Sequence, residues 1–235
     1  MIVIYFHIWT NADWVNITNN IFNKIIESKL IEKVQYIKVC ILSKYSLNKL
    51  KKICDHLNHD KVIIEHNNNK KLYERFTLNT ILKDVLKYKD NYKILYLHAK
   101  GVTKNKYTKY QELCIQDWVT YLTYFNVTRH EEVIKMLDVY ATCGCDYHNK
   151  IRDGRRYAGN FWWANSDHIK KLQFLKYTNE YYPDLFKNPR QLRKYIRESE
   201  TWLLSCNEYN NDTYTLHSSN VDHYHNRFTL NVDSY

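Results

Sequence analysis

Apolar residues follow two rhythms along the first hundred positions. Ile2 to Ile8 is a continuous apolar run with β-branched members and reads as a buried strand. Ile17, Ile21, Ile25 and Ile26 then recur at helical spacing, ending near Leu30. Val34 to Leu42 reads as a second strand, and Leu47, Leu50, Ile53 and Leu57 form a second helix face. Val62-Ile63-Ile64 is a short third strand, closed by a polar turn at Asn67-Asn68-Asn69. Phe76, Leu78, Ile81, Leu82, Val85 and Leu86 give a third helix, and Lys93 to Leu97 a fourth strand. The order βαβαβαβ predicts an α/β fold with a mainly parallel central sheet flanked by helices, joined by right-handed crossovers.

The second half is less regular. Leu113, Trp118, Leu122 and Phe125 share one helix face, and Glu131 to Leu137 form another helix. Val139 to Cys145 and Phe161 to Ala164 read as strands. Asn165 or Ser166 caps a helix running through Leu175, and Pro189 opens a helical segment that reaches Cys206. The tail from residue 207 is polar and His-rich and reads as solvated. With no linker and no repeat, one domain over 1–235 is the economical organisation, with a first half over 1–101, a second over 102–206 and a tail over 207–235.

Composition narrows the chemistry. The chain has four glycines in 235 residues, none in the first 100, where average usage of about 7% would give about 16. Dinucleotide-binding G-x-G-x-x-G loops and P-loops are excluded, because both need several glycines in a short window. Ile, Lys, Asn and Tyr dominate, as A/T-rich codons favour, so the net charge of +10 is partly compositional. That charge still suits polyanionic partners: nucleic acid, membrane surfaces or phosphate-bearing small molecules. No stretch approaches 18 apolar residues and the N-terminus has no basic leader pattern, so the chain is expected without a membrane span or signal peptide. The six cysteines form no C-x-x-C pair and read as buried reduced thiols.

Ligands of open parallel sheets bind beyond the carboxyl ends of the strands. After the first strand come His7, Thr10, Asn11 and Asp13; after the fourth, His98, Ala99, Lys100 and Gly101; after the fifth, Gly144, Cys145, Asp146 and His148. Gly101, Gly144 and Gly159 all fall beside such ends. Arg152, Asp153, Gly154, Arg155 and Arg156 form a charged loop suited to a phosphate or an acidic glycan, or to a solvated turn.

Four phrases carry a resemblance: Glu74-x-Phe76-Thr77-Leu78, Leu95-Tyr96-Leu97-His98-x-Lys100-Gly101, Gly159-Asn160-Phe161-Trp162-Trp163 and Glu200-Thr201-Trp202-Leu203. In order and spacing, over roughly residues 1 to 205, they resemble small GT-A-fold glycosyltransferases of giant DNA viruses and bacteria, including a chlorella-virus rhamnosyltransferase domain. The resemblance implies transfer of a sugar from a nucleotide-sugar, UDP-sugar being the commoner donor, to a glycan or protein hydroxyl. It implies donor contacts from His7, Thr10, Asn11, Glu74, Thr77, His98, Lys100, Gly101, Gly159 and Asn160. It points to Glu200, at what resembles an acidic helix start, as the catalytic carboxylate, with Asp146 or Asp167 as rivals for that role. Trp162 or Trp163 becomes the aromatic platform for an acceptor sugar, at most one of them facing the site because strand neighbours point oppositely.

One departure from the pattern is informative. The family's Asp-x-Asp pair holds Mn²⁺ or Mg²⁺ against the donor diphosphate, and here His98 and Lys100 stand in its place. Two options stay open. His98 is a metal ligand, assisted by Asp146 or by His217, His223 and His225 of the tail; or the site is metal-independent and Lys100 offsets the leaving charge. Two further classes compete with the transferase: a catalytically inactive sugar- or nucleotide-binding relative, and a basic nucleic-acid-associated protein. The resemblance itself leads to no nucleic-acid partner and to a cytoplasmic location, in the host cytoplasm or virion if the source is viral.

Overall fold

The computed structural model describes residues 1–102, 107–149, 154–177, 185, 187–206 and 212–231. The first half follows the predicted alternation: β1 (Ile2–Trp9), α1 (Trp14–Glu27), α2 (Leu30–Lys33), β2 (Tyr36–Leu42), α3 (Leu47–Ile53), β3 (Val62–Asn67), α4 (Arg75–Val85) and β4 (Lys93–His98). β3 outruns its apolar core because pairing with β2 carries Glu65, His66 and Asn67 along opposite Cys40, Ile41 and Leu42. The second half contains α5 (Lys109–Thr123), α6 (His130–Met136), β5 (Thr142–Gly144), β6 (Tyr147–His148), β7 (Arg156–Tyr157), β8 (Trp162–Asn165), α7 (Ser166–Ile169), α8 (Pro189–Thr201) and β9 (Thr213–Thr215).

Among the described residues the main sheet has seven strands in the order β3-β2-β1-β4-β8-β5-β9. All its strands are parallel except β8, which runs against both neighbours. The expected α/β class with a mainly parallel sheet is therefore observed. Strand alternation sorts the core onto two faces. Ile4, Phe6 and Ile8 of β1 and Trp163 of β8 pack with α1 and α5, while Val3, Tyr5, Tyr96 and Trp162 pack with α4 and the Trp202–Leu204 turn. α5 starts on a capping box in which the Thr108 hydroxyl accepts from the Gln111 amide and the Gln111 side chain accepts from the Thr108 amide.

Three expectations change. The helix from Ser166 stops at Ile169, because the chain beyond is drawn out along α4: Asn79 exchanges two 2.8 Å bonds with the backbone of Leu175. The strand expected from Val139 shrinks to Thr142–Gly144, because residues 138–140 turn back on the end of α6. The tail is not a solvated appendage. β9 pairs with β5, and His223 is 3% exposed, stacked on the Trp118 and Tyr121 rings. The cysteines of the described residues are free thiols, all buried except half-buried Cys206. Among the described residues no helix is long and apolar enough to cross a membrane.

Candidate active site

The antiparallel entry of β8 builds the site. Tyr96 of β4 pairs with Trp162 of β8, so the residues before β8, Gly159 and Asn160, arrive where β4 leaves the sheet at His98. β1 ends on the same level, with His7 opposite His98. Gly159 (φ +77°) and Asn160 (φ +54°) both take left-handed backbone. The positive φ favours glycine at 159, and a Cβ there would also lie 2.5 Å from Leu122 Cδ1, which would have to shift. This turn aims the Gly159 carbonyl at His98, whose Nε2–H donates to it across 2.7 Å. Burial pushes the His98 imidazole down, with Glu74 pulling it the other way. The carbonyl can only accept, so neutral His98 carries its proton on Nε2.

Glu74, at the N-terminus of α4, lies beneath these residues. Its carboxylate accepts from the Tyr96 hydroxyl at 2.7 Å and from the Asn160 amide. Burial alone would raise its pKa; His98, His7, the Tyr96 bond and Lys100 outweigh burial and hold it low. Glu74 is thus a half-buried anion at which three of the four sequence phrases meet, held by Tyr96 and Asn160.

Glu200 brings the fourth. It occupies the last turn of α8, not a helix start, so the helix dipole there disfavours its charge. Burial and the nearby Glu74 carboxylate raise its pKa, against Lys100, Arg197 and Arg156. Arg197 Nε and Arg156 Nε approach it loosely, at 3.6 and 3.9 Å. α8 is held in register by Arg75, whose fully buried guanidinium donates to the Tyr195 carbonyl and to Glu198, both at 2.7 Å, and stacks on the Tyr195 ring. Lys100 leaves β4 with its ammonium 3.9 Å above the Trp118 ring and 5.4 Å from that of Tyr224.

Glu74, His98, Lys100, Gly159, Asn160 and Glu200 together line one cavity of about 700 Å³ with Arg156, Arg197, Trp118, Tyr157 and Asp146. That is the size range of small-molecule clefts. A larger cavity, about 870 Å³, lies between α4 and residues 174–177. Its Glu65 and Asp84 carboxylates are already paired with Lys38, and Asp84 also with Lys87, so the reactive groups belong to the smaller one.

Several expected site residues lie elsewhere. His7, Thr10, Asn11, Thr77 and Gly101 do not line the cavity. His7 Nδ1 pairs with the Thr77 hydroxyl at 2.7 Å, Thr10 donates to Ser43 at 2.9 Å, Asn11 donates to the Val102 carbonyl at 2.7 Å, and Gly101 packs on Ile115. They are ties within and around the strand ends. Trp162 and Trp163 are both core, 1% and 0% exposed, and their indoles donate to Asn160 Oδ1 and to the Asn126 carbonyl. The pleat sends them to opposite faces of a sheet covered on both sides. Asp146 reaches the cavity, but its oxygens accept from the Ser219 amide, the Ser219 hydroxyl and His223. Burial pushes its pKa up, and these bonds more than offset that. Arg156 belongs to the cavity; Arg152 and Asp153 of the charged loop lie outside the described residues.

Sequence reasoning missed Arg197 and Tyr157 of the cavity, and Arg75, which holds α8 from outside it. The i,i+3 spacing of Arg197 and Glu200 was an available signal. Nothing in the sequence distinguishes Arg75 from an exposed cation.

No family model matches the chain, and no curated protein matches it. Among solved structures it is similar to a protein described as a nucleotide-diphospho-sugar transferase, from Desulfovibrio desulfuricans G20. The identity is 9% over 92% of this chain and 80% of that chain, with a TM-score of 0.35. It is also similar to the galactosyltransferase LgtC, solved in complex with donor and acceptor sugar analogs. There the identity is 12% over 86% of this chain and 70% of that chain, with a TM-score of 0.36. The functional reading therefore rests on the cavity's own residues.

Proposed function

We propose that the protein is a nucleotide-sugar-dependent glycosyltransferase of GT-A type, acting on a glycan or protein hydroxyl. One observation carries this reading: four phrases far apart in sequence converge on a single cavity at the carboxyl end of β4. The convergence supplies a cation, a half-buried anion and a carboxylate with elevated pKa within electrostatic reach of one another. UDP-sugar is the expected donor.

Glu200 is assigned as general base. It accepts the proton of the acceptor hydroxyl while that oxygen forms a bond to the anomeric carbon. The bond from that carbon to the diphosphate oxygen breaks, and its electron pair leaves on the diphosphate. A raised pKa makes a carboxylate a stronger base for this task, provided it is ionised at working pH. Glu74 fixes Asn160 and, through Tyr96, the end of β4. Asp146 serves as the anchor of the tail wall through Ser219 and His223.

The test is release of nucleoside diphosphate from a panel of UDP- and GDP-sugars, with and without mixed oligosaccharide acceptors. Hydrolysis or transfer from at least one donor is expected. Silence across the panel removes the enzyme and leaves the inactive sugar-binding relative.

A further inference from the structure

Resting on the glycosyltransferase reading, we infer that the cavity binds the donor's diphosphate with fixed side-chain cations, Lys100 first and Arg156 and Arg197 beside it, and without a divalent metal.

The residues available to a metal do not fit one. Among the described residues no three His, Cys, Asp or Glu side chains converge as a ligand set. His98 spends Nε2 on the Gly159 carbonyl and offers a single nitrogen. Asp146 already accepts from Ser219 and His223, and Glu74 is held by Tyr96 and Asn160. Asp222 accepts from the Tyr224 amide and from His225 at the exposed rim. A divalent ion would have to displace these bonds before gaining a coordination shell of several oxygens.

The cations do fit a diphosphate. Lys100 occupies the second position beyond the end of β4 and holds its ammonium on the Trp118 face, inside the cavity. Arg156 arrives from β7 and Arg197 from α8, one turn before Glu200. Arg156 Nε and Arg197 Nε lie 3.9 and 3.6 Å from Glu200, which puts both guanidinium groups on the same wall of the cavity as Lys100. Guanidinium forks match phosphate oxygens bidentately, and an ammonium supplies a compact point charge. Two or three permanent cations provide the charge that one divalent ion would bring, and they provide it preorganised.

Titration calorimetry on the full chain with UDP, GDP and pyrophosphate, in EDTA and again in about 1 mM Mn²⁺ or Mg²⁺, tests the inference. At least one nucleotide should bind with affinities in the two buffers agreeing within ~3-fold. Lys100→Met should weaken that binding at least ~10-fold in EDTA, with Lys100→Arg recovering most of it, since the loss is of a charge-assisted phosphate contact. Nucleotide binding that requires metal, or that survives Lys100→Met unchanged, overturns the inference and leaves the transferase reading standing. No binding of any probe in either buffer overturns both. Should Lys100→Met fail to fold by circular dichroism, the two-buffer comparison on the unaltered protein decides alone.

Discussion

Glu200 is placed where ionisation is costly: in the last turn of a helix, desolvated, beside Glu74. A group whose pKa is raised by folding opposes stability once it ionises, because the unfolded chain gives up its proton at lower pH than the native one. Glu200→Gln removes that opposition and, on the proposed reading, removes the base. Transfer should fall at least ~10²-fold, while the thermal midpoint near neutral pH stays level or rises. A melting scan beside an initial-rate assay checks both, and a variant that turns over normally or melts lower takes Glu200 out of the role. His7 behaves in the opposite sense. Burial lowers its pKa to about 4, against Glu74 acting upward, so it is neutral in the native state. Between the ordinary 6.5 and about 4 the unfolded chain binds a proton that the native protein refuses, so stability falls as pH falls through that window. The bound on the loss is about 3 kcal/mol. Urea midpoints between about pH 7 and about pH 5 should fall steeply for the native chain and less steeply for His7→Gln; parallel slopes would remove His7 as a source of acid lability.

At the scale of elements, legibility follows burial. β1 and β4 were readable because strands covered on both faces need unbroken apolar runs, and α4 because one face packs on the sheet. The short strands β6, β7 and β9 were not readable and β5 was read too long, because two or three residues carry no period and tertiary pairing alone places them. The same division holds in the site. Lys100, Glu74, Asn160 and Glu200 were named because they sit beside recognisable phrases. Asn220 and Tyr224 of the tail wall were missed, and His223 was named only as an optional metal ligand, because a polar, His-rich stretch has the composition of a solvated tail. The tail is held where it is by buried polar bonds, with Asp146 taking Ser219 and His223. Gly144 marks the join between β5 and the β6–β7 ribbon. Its backbone is ordinary strand, yet a Cβ would fall 2.7 and 2.8 Å from Cδ1 and Cδ2 of the Tyr157 ring. That ring cannot retreat, being 2% exposed and tied through its hydroxyl to Thr142 at 3.0 Å. Gly144→Ala should therefore cost about 1–3 kcal/mol in urea unfolding, by overpacking. It should also weaken donor binding, since Tyr157 lines the cavity. Combining it with Tyr157→Leu should cost less than the sum of the two single changes, which a double-mutant cycle reads directly.

For the whole molecule, the question is whether the two halves legible in the sequence are separable. From the strand order we propose that they are not. β8 comes from the second half and inserts between β4 of the first half and β5, so a chain ending at Gly101 would expose the full edge of β4. That edge carries Ile94 and Tyr96, both fully buried in the intact chain, and the faces of β1 and β4 would lose the cover of α5. An exposed apolar edge strand is a template for intermolecular pairing. The cavity divides the same way: Glu74, His98 and Lys100 come from the first half, and Asn160, Arg197 and Glu200 from the second. A 1–101 fragment should consequently be aggregation-prone and bind no nucleotide. In the full chain, urea transitions followed by far-UV circular dichroism and by tryptophan fluorescence should coincide, because the Trp residues of α5 and β8 pack across the boundary. Two separated transitions, or a soluble fragment with a cooperative melt, would make the first half a domain in its own right and turn its net basic surface, instead of the shared cavity, into the feature that most needs a partner.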